Sequence, residues 1–318
     1  MHLVTGGAGF IGSHVAEALV RRGAKVRIFD DFSSGKWENL DGFADRVEVL
    51  EGDLRDMAAV ERAVRGVVGV YHQAALRSVP RSVDNPLATN DVNITGTLQL
   101  LLACREAGVK RVVAASSSSV YGANEELPKR EDQPLLPVSP YAASKLAGEH
   151  YCRIFTRLYG LETVSLRYFN VFGPRQDPAS QYAAVVPLFI QAALDGVPLT
   201  VHGDGLQSRD FTYIDNVVQA NLLAMDAPGA SGEALNIACG ARYTLMDIVH
   251  VIERELGCAV TCNHMPPRAG DVRHTLADVS KAERLIGFRP SVGFEEGMAR
   301  TVAHLKKMHR GGGRAVSA

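Results

Sequence analysis

The stretch Thr5-Gly6-Gly7-Ala8-Gly9-Phe10-Ile11-Gly12 decides how this chain is read. It follows a short β-branched run, His2 to Thr5, and opens a segment at 11–22 whose apolar residues recur at helical spacing. The glycines satisfy G-x-G-x-x-G through Gly7, Gly9 and Gly12, and G-x-x-G-x-x-G through Gly6, Gly9 and Gly12. Both phasings serve one chemistry. Residues without a Cβ let the backbone turn tightly and approach a pyrophosphate, whose charge meets free N–H groups and the positive end of a helix dipole. Asp30 closes the next apolar run about twenty residues on, where a carboxylate accepts hydrogen bonds from an adenosine ribose. That carboxylate repels a 2′-phosphate and no Arg stands beside it, so the pattern favours NAD over NADP, with Lys36 the cation that tempers the choice. Asp53, in Glu51-Gly52-Asp53-Leu54, reads either as an adenine contact or as the N-cap of the helix after it.

Outward from this turn, β-branched runs end near Thr5, Asp30, Glu51, His72, Ser116 and Arg167, and helical patterns occupy 11–22, 57–64, 87–107 and 140–159. Gly23, Gly66, Gly108 and Gly160 follow them as C-terminal stops. The alternation predicts an α/β fold, a Rossmann-like doubly wound parallel sheet with helices on both faces, followed by a smaller α/β C-terminal substrate-binding lobe. After Arg167 the rhythm breaks into loops containing Gly173, Pro174, Pro178 and Pro187, the kind of segment that carries ligand contacts beyond the carboxyl ends of strands. The expected division is 1–168 for the NAD-binding part, with 211–237 returning to it, 169–210 and 238–305 for the substrate lobe, and a flexible tail at 311–318.

Composition narrows the function classes. The 318 residues are 46% hydrophobic and 22% charged, and 34 Lys plus Arg against 35 Asp plus Glu leave a formal charge of −1. Such a balance offers no global basic field to a nucleic acid or an anionic membrane. No apolar run approaches the roughly 18 to 20 residues that cross a bilayer, and the opening strand leaves no room for a signal peptide, so a cytoplasmic protein is expected. Cys104, Cys152, Cys239, Cys258 and Cys262 are odd in number and form no disulfide framework. Cys258, Cys262 and nearby His264 lack a second ligand cluster, so inert thiols and no metal are expected.

Tyr141 and Lys145, in Tyr141-Ala142-Ala143-Ser144-Lys145, stand four apart and share one helix face. An ammonium beside a phenol stabilises the phenolate and lowers its pKa from about 10, which makes a base usable near neutrality. The polar end of the fifth run, Ser116-Ser117-Ser118-Ser119-Val120-Tyr121-Gly122, brings a hydroxyl to the same place.

With these motifs the chain resembles the extended short-chain dehydrogenase/reductase family, specifically its nucleotide-sugar epimerases and dehydratases. The resemblance spans Met1 to about Leu305 and rests on TGGAGFIG, GDLRD, HQAA, SSSSVYG, YAASK, RYFNVFGPRQDP, SRDFTYID and RAGDVRH in combination. It implies that Tyr141 is the catalytic base, that Lys145 holds the nicotinamide ribose and tunes Tyr141, and that Ser117 hydrogen-bonds the hydroxyl at sugar carbon 4. It further implies NAD contacts from Gly6, Gly9, Phe10, Ile11 and Gly12, from Asp30, Asp31, Ser34, Gly35 and Lys36, and from Asp53 and Leu54. Gln73, Ala74, Ala75, Arg77, Asn93, Ala115 and Tyr168 complete that set, beside Tyr141 and Lys145 themselves. The chemistry so implied is proton removal from the carbon-4 hydroxyl by Tyr141 while hydride passes to tightly held NAD, rotation of the 4-keto sugar, and hydride return to its other face.

On the same resemblance Arg209 and Arg268 clamp a UDP diphosphate, as suits bidentate guanidinium contacts. Asn170 meets diphosphate and sugar, and Asp271 the uridine ribose. Val185, Val186, Thr200 and His202 belong to the implied substrate set. The related 4,6-dehydratases carry an Asp-Glu pair where this chain has Ser118 and Ser119, and a hydroxyl does not replace a carboxyl group in eliminating water. The decarboxylase branch carries an acid at the place of Ser119. Thr275 matches a gate at which a large Tyr narrows the pocket and a small residue admits N-acetyl groups, and Ser78, Arg81 and Ser82 stand by for a sugar substituent. Against that, Ser117, Ser118 and Ser119 with Arg175 suit a carboxylate at carbon 6, unless Arg175 merely ties its loop. The expected activity is an NAD-dependent UDP-sugar 4-epimerase for UDP-glucose/galactose, a UDP-N-acetylhexosamine or UDP-glucuronate. A UDP-glucuronate decarboxylase or 4,6-dehydratase is the alternative, and a non-catalytic NAD-binding sensor the third. Relatives pair the helices at 87–107 and 140–159, so a homodimer is expected, with Leu98, Leu101 and Leu102 available to it.

Overall fold

Successive residues of a strand point to opposite faces. Here Leu3 and Val4, Ile28 and Phe29, Val70 and Tyr71, and Val112 and Val113 are all buried, so each central strand needs cover on both sides. The computed structural model of the protein describes residues 1–179, 184–267 and 272–312. In chain order come β1 (His2–Thr5), α1 (Phe10–Arg21), β2 (Val26–Asp30), β3 (Val47–Glu51), α2 (Met57–Val64), β4 (Gly69–His72), the short α3 (Val79–Asp84) and α4 (Pro86–Asn90), α5 (Gly96–Glu106), β5 (Arg111–Ser117), α6 (Pro140–Tyr159) and β6 (Glu162–Tyr168). There follow β7 (Val171–Phe172), α7 (Val185–Leu194), β8 (Leu199–His202), β9 (Ser208–Arg209), β10 (Thr212–Tyr213), α8 (Ile214–Asp226), β11 (Glu233–Ile237), β12 (Tyr243–Thr244), α9 (Leu245–Leu256), β13 (Cys262–Met265), α10 (Ser280–Ile286) and α11 (Phe294–Gly312).

Seven parallel strands form the main sheet in the order β3-β2-β1-β4-β5-β6-β11. One face, with Leu3, Phe29, Val70 and Val112, packs on Val60 of α2, Leu101 of α5 and Phe155 of α6. The other, with Val4, Ile28, Tyr71 and Val113, packs on Val15 and Leu19 of α1 and Val217 of α8. Each such side chain contributes about 1.5–3 kcal/mol on burial. The doubly wound reading therefore holds. The strand order reverses between β1 and β4, which opens a crevice at their carboxyl ends. The remaining strands pair as β7 with β10, β9 with β12 and β8 with β13, and Phe172 touches Phe211, Tyr213 and Phe294 edge-on at 6.2, 5.7 and 6.0 Å.

The structure refines local expectations. The helix expected over 87–107 is present as a continuous run from Pro86 to Glu106, with a π-helical turn Asp91–Thr95 between α4 and α5. The widened turn aims Asn93 at the backbone of Leu76, accepting from its N at 2.8 Å and donating to its O at 3.0 Å. It also brings Gly96 so close to Leu54 that an added Cβ would lie 2.8 Å from the Leu54 Cβ. Asp56 rather than Asp53 caps α2, accepting from Ala59 N at 3.2 Å. Finally, α11 reaches Gly312, so only the first two residues of the tail expected at 311–318 are described. Met298, Val302 and Leu305 anchor that helix in the core, enough to carry two glycines at about 1 kcal/mol each; residues 313–318 lie outside the described residues.

Candidate active site

A cavity of about 780 Å³ runs along the carboxyl ends of the strands. At one end Gly6, Gly9 and Gly12 line it, while Gly7 packs against Ile28, so the G-x-x-G-x-x-G phasing describes the turn. Gly6 has φ 64° and a Cβ on it would meet Ala74 N at 2.7 Å; one on Gly12 would lie 2.1 Å from Gly6 O. Gly9 is the N-cap of α1 and supplies no side-chain cap, so the first-turn N–H groups, beside Phe10 and Ile11, are left for an anion.

Asp30 is buried and accepts from Ala8 N at 2.8 Å and Phe32 N at 2.9 Å. Burial pushes its carboxyl above the usual range, and those N–H groups pull the other way. It is no solvated surface charge. Asp31 and Ser34 line the cavity with it, and Gly35 backs it so closely that a Cβ would lie 2.7 Å from Asp30 Oδ1. Lys36 is an exception among the expected NAD contacts: it pairs with Asp177 at 2.8 Å and does not line the cavity. Asp53 and Leu54 do, and the Arg55 guanidinium on Asp53 at 2.5 Å holds that carboxyl below its usual range. Gln73, Ala74, Ala75 and Arg77 form the floor, with Gln73 fixed by Asn221 at 2.9 Å. Asn93 stands behind them, buried, bonded to Leu76 and to Ser144. A glycine cradle, an uncapped helix start and a buried carboxylate fit the pyrophosphate and adenosine ribose of NAD.

In the middle of the cavity lie Ala115, Ser117, Tyr141, Lys145 and Tyr168. The start of α6 is fixed twice, by Ser139, which accepts from Ala142 N at 3.1 Å, and by Ser82, which accepts from Tyr141 N at 3.0 Å. Ser117 lines the same wall as Tyr141, near enough for its hydroxyl to favour the phenolate, and Ser117 receives the Ser119 hydroxyl at 2.9 Å. Lys145 Nζ donates to Ala115 O at 3.0 Å, and burial pushes it down to about 8. The expected lowering of the Tyr141 phenol is not what the arrangement gives. Burial pushes it up, and the groups that pull it back are Ser117 and the charge of Arg77. His72, between Thr5 at 2.7 Å and Thr97 at 3.0 Å, is pushed down to about 3 by burial and stays neutral. Together these groups place a phenol, a hydroxyl and an ammonium in the wall of one cavity, which suits moving a proton on and off a substrate hydroxyl.

At the far end Ser118, Ser119, Asn170, Arg209 and Thr275 line the cavity. Asn170, at φ 33°, donates to Asp210 O at 3.1 Å and reaches Thr275 Oγ1 at 3.4 Å. Asp210 is fully buried, its carboxyl pushed up to about 6 by burial, and it accepts from the N–H groups of Cys239, Gly240 and Ala277. Val185 and Val186 line an adjoining cavity of about 260 Å³ that shares Asn170 and Arg209.

Several expected substrate contacts stand elsewhere. Arg175 is ion-paired with Glu17 of α1 at 2.6 Å and is not in the cavity wall, because its own turn, at φ 66°, directs it to that carboxylate. Arg81 does not line the cavity, and Ser82 is committed to Tyr141 N. Thr200 and His202 lie on β8, paired to β13, and line neither cavity. Arg268 and Asp271 lie outside the described residues. The structure adds Lys129, buried in the wall of the larger cavity, which nothing in its local sequence distinguishes. Ser139 was within reach of sequence reasoning, since Ser before Pro at a helix start is a capping signal. Cys104 and Cys152 are buried and Cys258 is exposed, and the described residues contain no cluster of three or more His, Cys, Asp or Glu that would hold a metal. None of the described helices is long and apolar enough to cross a membrane.

Comparison with known proteins agrees with this geometry. The profile of the NAD dependent epimerase/dehydratase family matches residues 2–238. A UDP-glucose 4-epimerase of Mycolicibacterium smegmatis is 39% identical over 305 residues, covering 94% of this chain and 96% of the relative. A UDP-N-acetyl-alpha-D-glucosaminuronate decarboxylase of Bacillus cytotoxicus is 32% identical, over 96% of this chain and 98% of its own. Among solved structures, the UDP-N-acetylglucosamine 4-epimerase of Methanobrevibacter ruminantium, in complex with UDP-N-acetylmuramic acid, superposes with a TM-score of 0.92 at 42% identity, over 96% of this chain and 98% of that one. The UDP-glucose 4-epimerase of Thermus thermophilus, in complex with NAD, does so with a TM-score of 0.88 at 40% identity, over 98% and 99%. The chain belongs to the NAD-dependent epimerase/dehydratase family. Its cofactor is NAD.

Proposed function

We propose that the protein is a UDP-sugar 4-epimerase whose substrate is a UDP-N-acetylhexosamine. The observation that carries the epimerase reading is the cavity wall that Ser117, Tyr141 and Lys145 share, to which no carboxylate of the described residues contributes beside them. Among the described residues the acids lining the cavity are Asp30, Asp31 and Asp53, all at the glycine-turn end. Ser118 and Ser119 stand where a dehydratase needs an acid and a base, and Ser119 Oγ is already spent on Ser117. That favours inversion over elimination or decarboxylation, although a decarboxylase is among the relatives.

In this reading Tyr141 takes the proton of the carbon-4 hydroxyl, Ser117 holds that oxygen and with the Arg77 charge favours the phenolate, and Lys145 holds the nicotinamide ribose. NAD, when bound, accepts a hydride from carbon 4 and gives it back. Tyr141 then returns the proton to an oxygen of either configuration, since Ser117 and Tyr141 line the same cavity. Arg209 and the described wall around Asn170 meet the diphosphate side of the substrate.

Two observations support the N-acetylated sugar. Thr275 is small, lies in the wall and is held by Asn170, so the cavity is wider there than a Tyr would leave it. Arg175, the cation a uronate would need, is occupied by Glu17. Incubating the protein with UDP-glucose, UDP-N-acetylglucosamine and UDP-glucuronate and separating the products by mass and by anion exchange tests both levels. An isobaric product made fastest from UDP-N-acetylglucosamine is expected. Loss of water or carbon dioxide would overturn epimerisation, fastest turnover of the uronate would overturn only the sugar, and no turnover at all would favour an NAD sensor. We also propose a homodimer through α5 and α6. Ile154 and Leu158 of α6 are 43% and 70% exposed, whereas Leu101 packs on the sheet. Light scattering should give twice the chain mass, and the monomer mass for Leu158→Glu.

A further inference from the structure

Beneath the Tyr141–Lys145 face lies a polar network that the proposed chemistry does not use. Glu149 sits one helical turn after Lys145 on α6, and Arg167 projects from β6; their side chains are 5% and 2% exposed. They meet bidentately, Arg167 Nε to Glu149 Oε1 at 2.9 Å and Nη2 to Oε2 at 2.8 Å. Ser116 Oγ donates to Glu149 Oε1 at 2.5 Å. Arg167 Nη1 donates to Tyr121 OH at 3.0 Å, and that hydroxyl donates to Asn236 Oδ1 at 2.7 Å.

We propose that Glu149 and Arg167 are positioning residues for the active site, clamping the helix that carries Tyr141 and Lys145 onto the strand end that carries Ser117, and balancing the charge that keeps Lys145 a cation. The inference rests on the proposed roles of Tyr141, Lys145 and Ser117. The geometry is direct, because Ser116 precedes Ser117 in β5, Lys145 is already bonded to Ala115 O, and Glu149 ties the same strand to the same helix a turn further on. A buried pair of this kind contributes little to net stability compared with apolar residues, so its value lies in fixing geometry.

The charge role follows from what faces Lys145. On α6 stand Cys152 and Glu149, and from β4 comes His72; Arg77 acts on Tyr141, a turn before Lys145 on the same helix, and Arg167 of β6 reaches Glu149. Burial keeps the Cys152 thiol and the His72 ring neutral at pH 7. Glu149 raises the proton affinity of Lys145 against burial, which lowers it to about 8. Taking away the Glu149 charge leaves Arg167 uncompensated, so the ammonium gives up its proton at lower pH. Taking away Arg167 does the opposite.

The test is the pH profile of kcat, together with an NMR titration of isotope-labelled lysine in which Lys145→Met assigns the signal. Glu149→Gln should move both the alkaline limb and the Lys145 titration down by about one pH unit, Arg167→Met should move both up by a similar amount, and the double variant should return them close to wild type with a lower kcat. A purely structural pair would lower kcat without opposite shifts, and shifts in one direction or none in folded variants overturn the proposal. If the variants that leave one charge alone do not fold, Ser116→Ala decides. A severalfold drop in kcat at unchanged KM supports the clamp, and wild-type kcat overturns it. NMR shifts as expected in a protein without turnover of any UDP-sugar would leave the charge balance standing and sink the proposed function instead.

Discussion

The two ends of the long cavity are built on different principles. The cofactor end is a backbone structure: the glycine turn, the uncapped start of α1 and the two N–H groups that bind Asp30 lie within or next to the first two strands. The sugar end is assembled from side chains on separate segments, with Asn170 held at φ 33° and the wall tied together through Asp210. Strain of this kind costs roughly 1–3 kcal/mol per residue and persists only where surroundings over-determine it. A backbone site admits almost no substitution. A side-chain site tolerates exchange, and each exchange alters which sugar fits.

The most severe way to break the first end is Gly12→Ala. Its Cβ would lie 2.1 Å from Gly6 O, a contact only movement of the turn relieves, at about 1–3 kcal/mol or more. We expect loss of bound NAD, read from the cofactor released on denaturation, and loss of all turnover; retention of both would mean that the turn has room the structure does not show. Tyr141→Phe comes next, cutting kcat by about a thousandfold while NAD stays bound, because the residue touches the middle of the cavity and not the cradle. Loss of NAD as well would erase the boundary between the two ends.

The same contrast governs how much of the molecule was legible beforehand. The glycine turn, Asp30 and the Tyr141–Lys145 spacing are local patterns whose geometry follows from helix and strand periodicity, and the structure places all of them in one cavity. The sugar end was legible only as a set of residue types. Arg175 finds Glu17 158 positions away, Ser82 finds the Tyr141 N–H 59 positions away, and Asp210 gathers three N–H groups from two later segments. None of these pairings leaves a periodic trace. Even the π-turn at Asp91–Thr95 is set by tertiary contacts, those of Asn93 with Leu76 and Gly96 with Leu54, in a stretch that reads locally as one helix. The phenol of Tyr141 was misjudged for a related reason, since the weight of burial is invisible in spacing.

At the sugar end, Thr275→Tyr should sharpen the comparison. The larger ring fills the wall beside Asn170, so kcat/KM for UDP-N-acetylglucosamine should fall by about 10–100-fold while UDP-glucose loses little, as expected when one pocket contact distinguishes substrates. An equal loss for both sugars would mean that Thr275 supports Asn170 and does not gate the pocket.

The smallest effect is expected from Arg175→Ala. The pair with Glu17 joins the 173–176 turn to α1, and both side chains are 19% exposed, so about 1 kcal/mol is at stake, less in high salt. In a chain of this size that is about 2 °C in Tm. Because the guanidinium is outside the cavity wall, kcat/KM should change by less than about threefold, and by the same factor for neutral and uronate sugars. A selective loss with UDP-glucuronate would mean that Arg175 leaves Glu17 when an acidic sugar arrives. The sugar end would then be completed by a residue borrowed from the contact with α1, and the separation between the two ends would hold only in the absence of substrate.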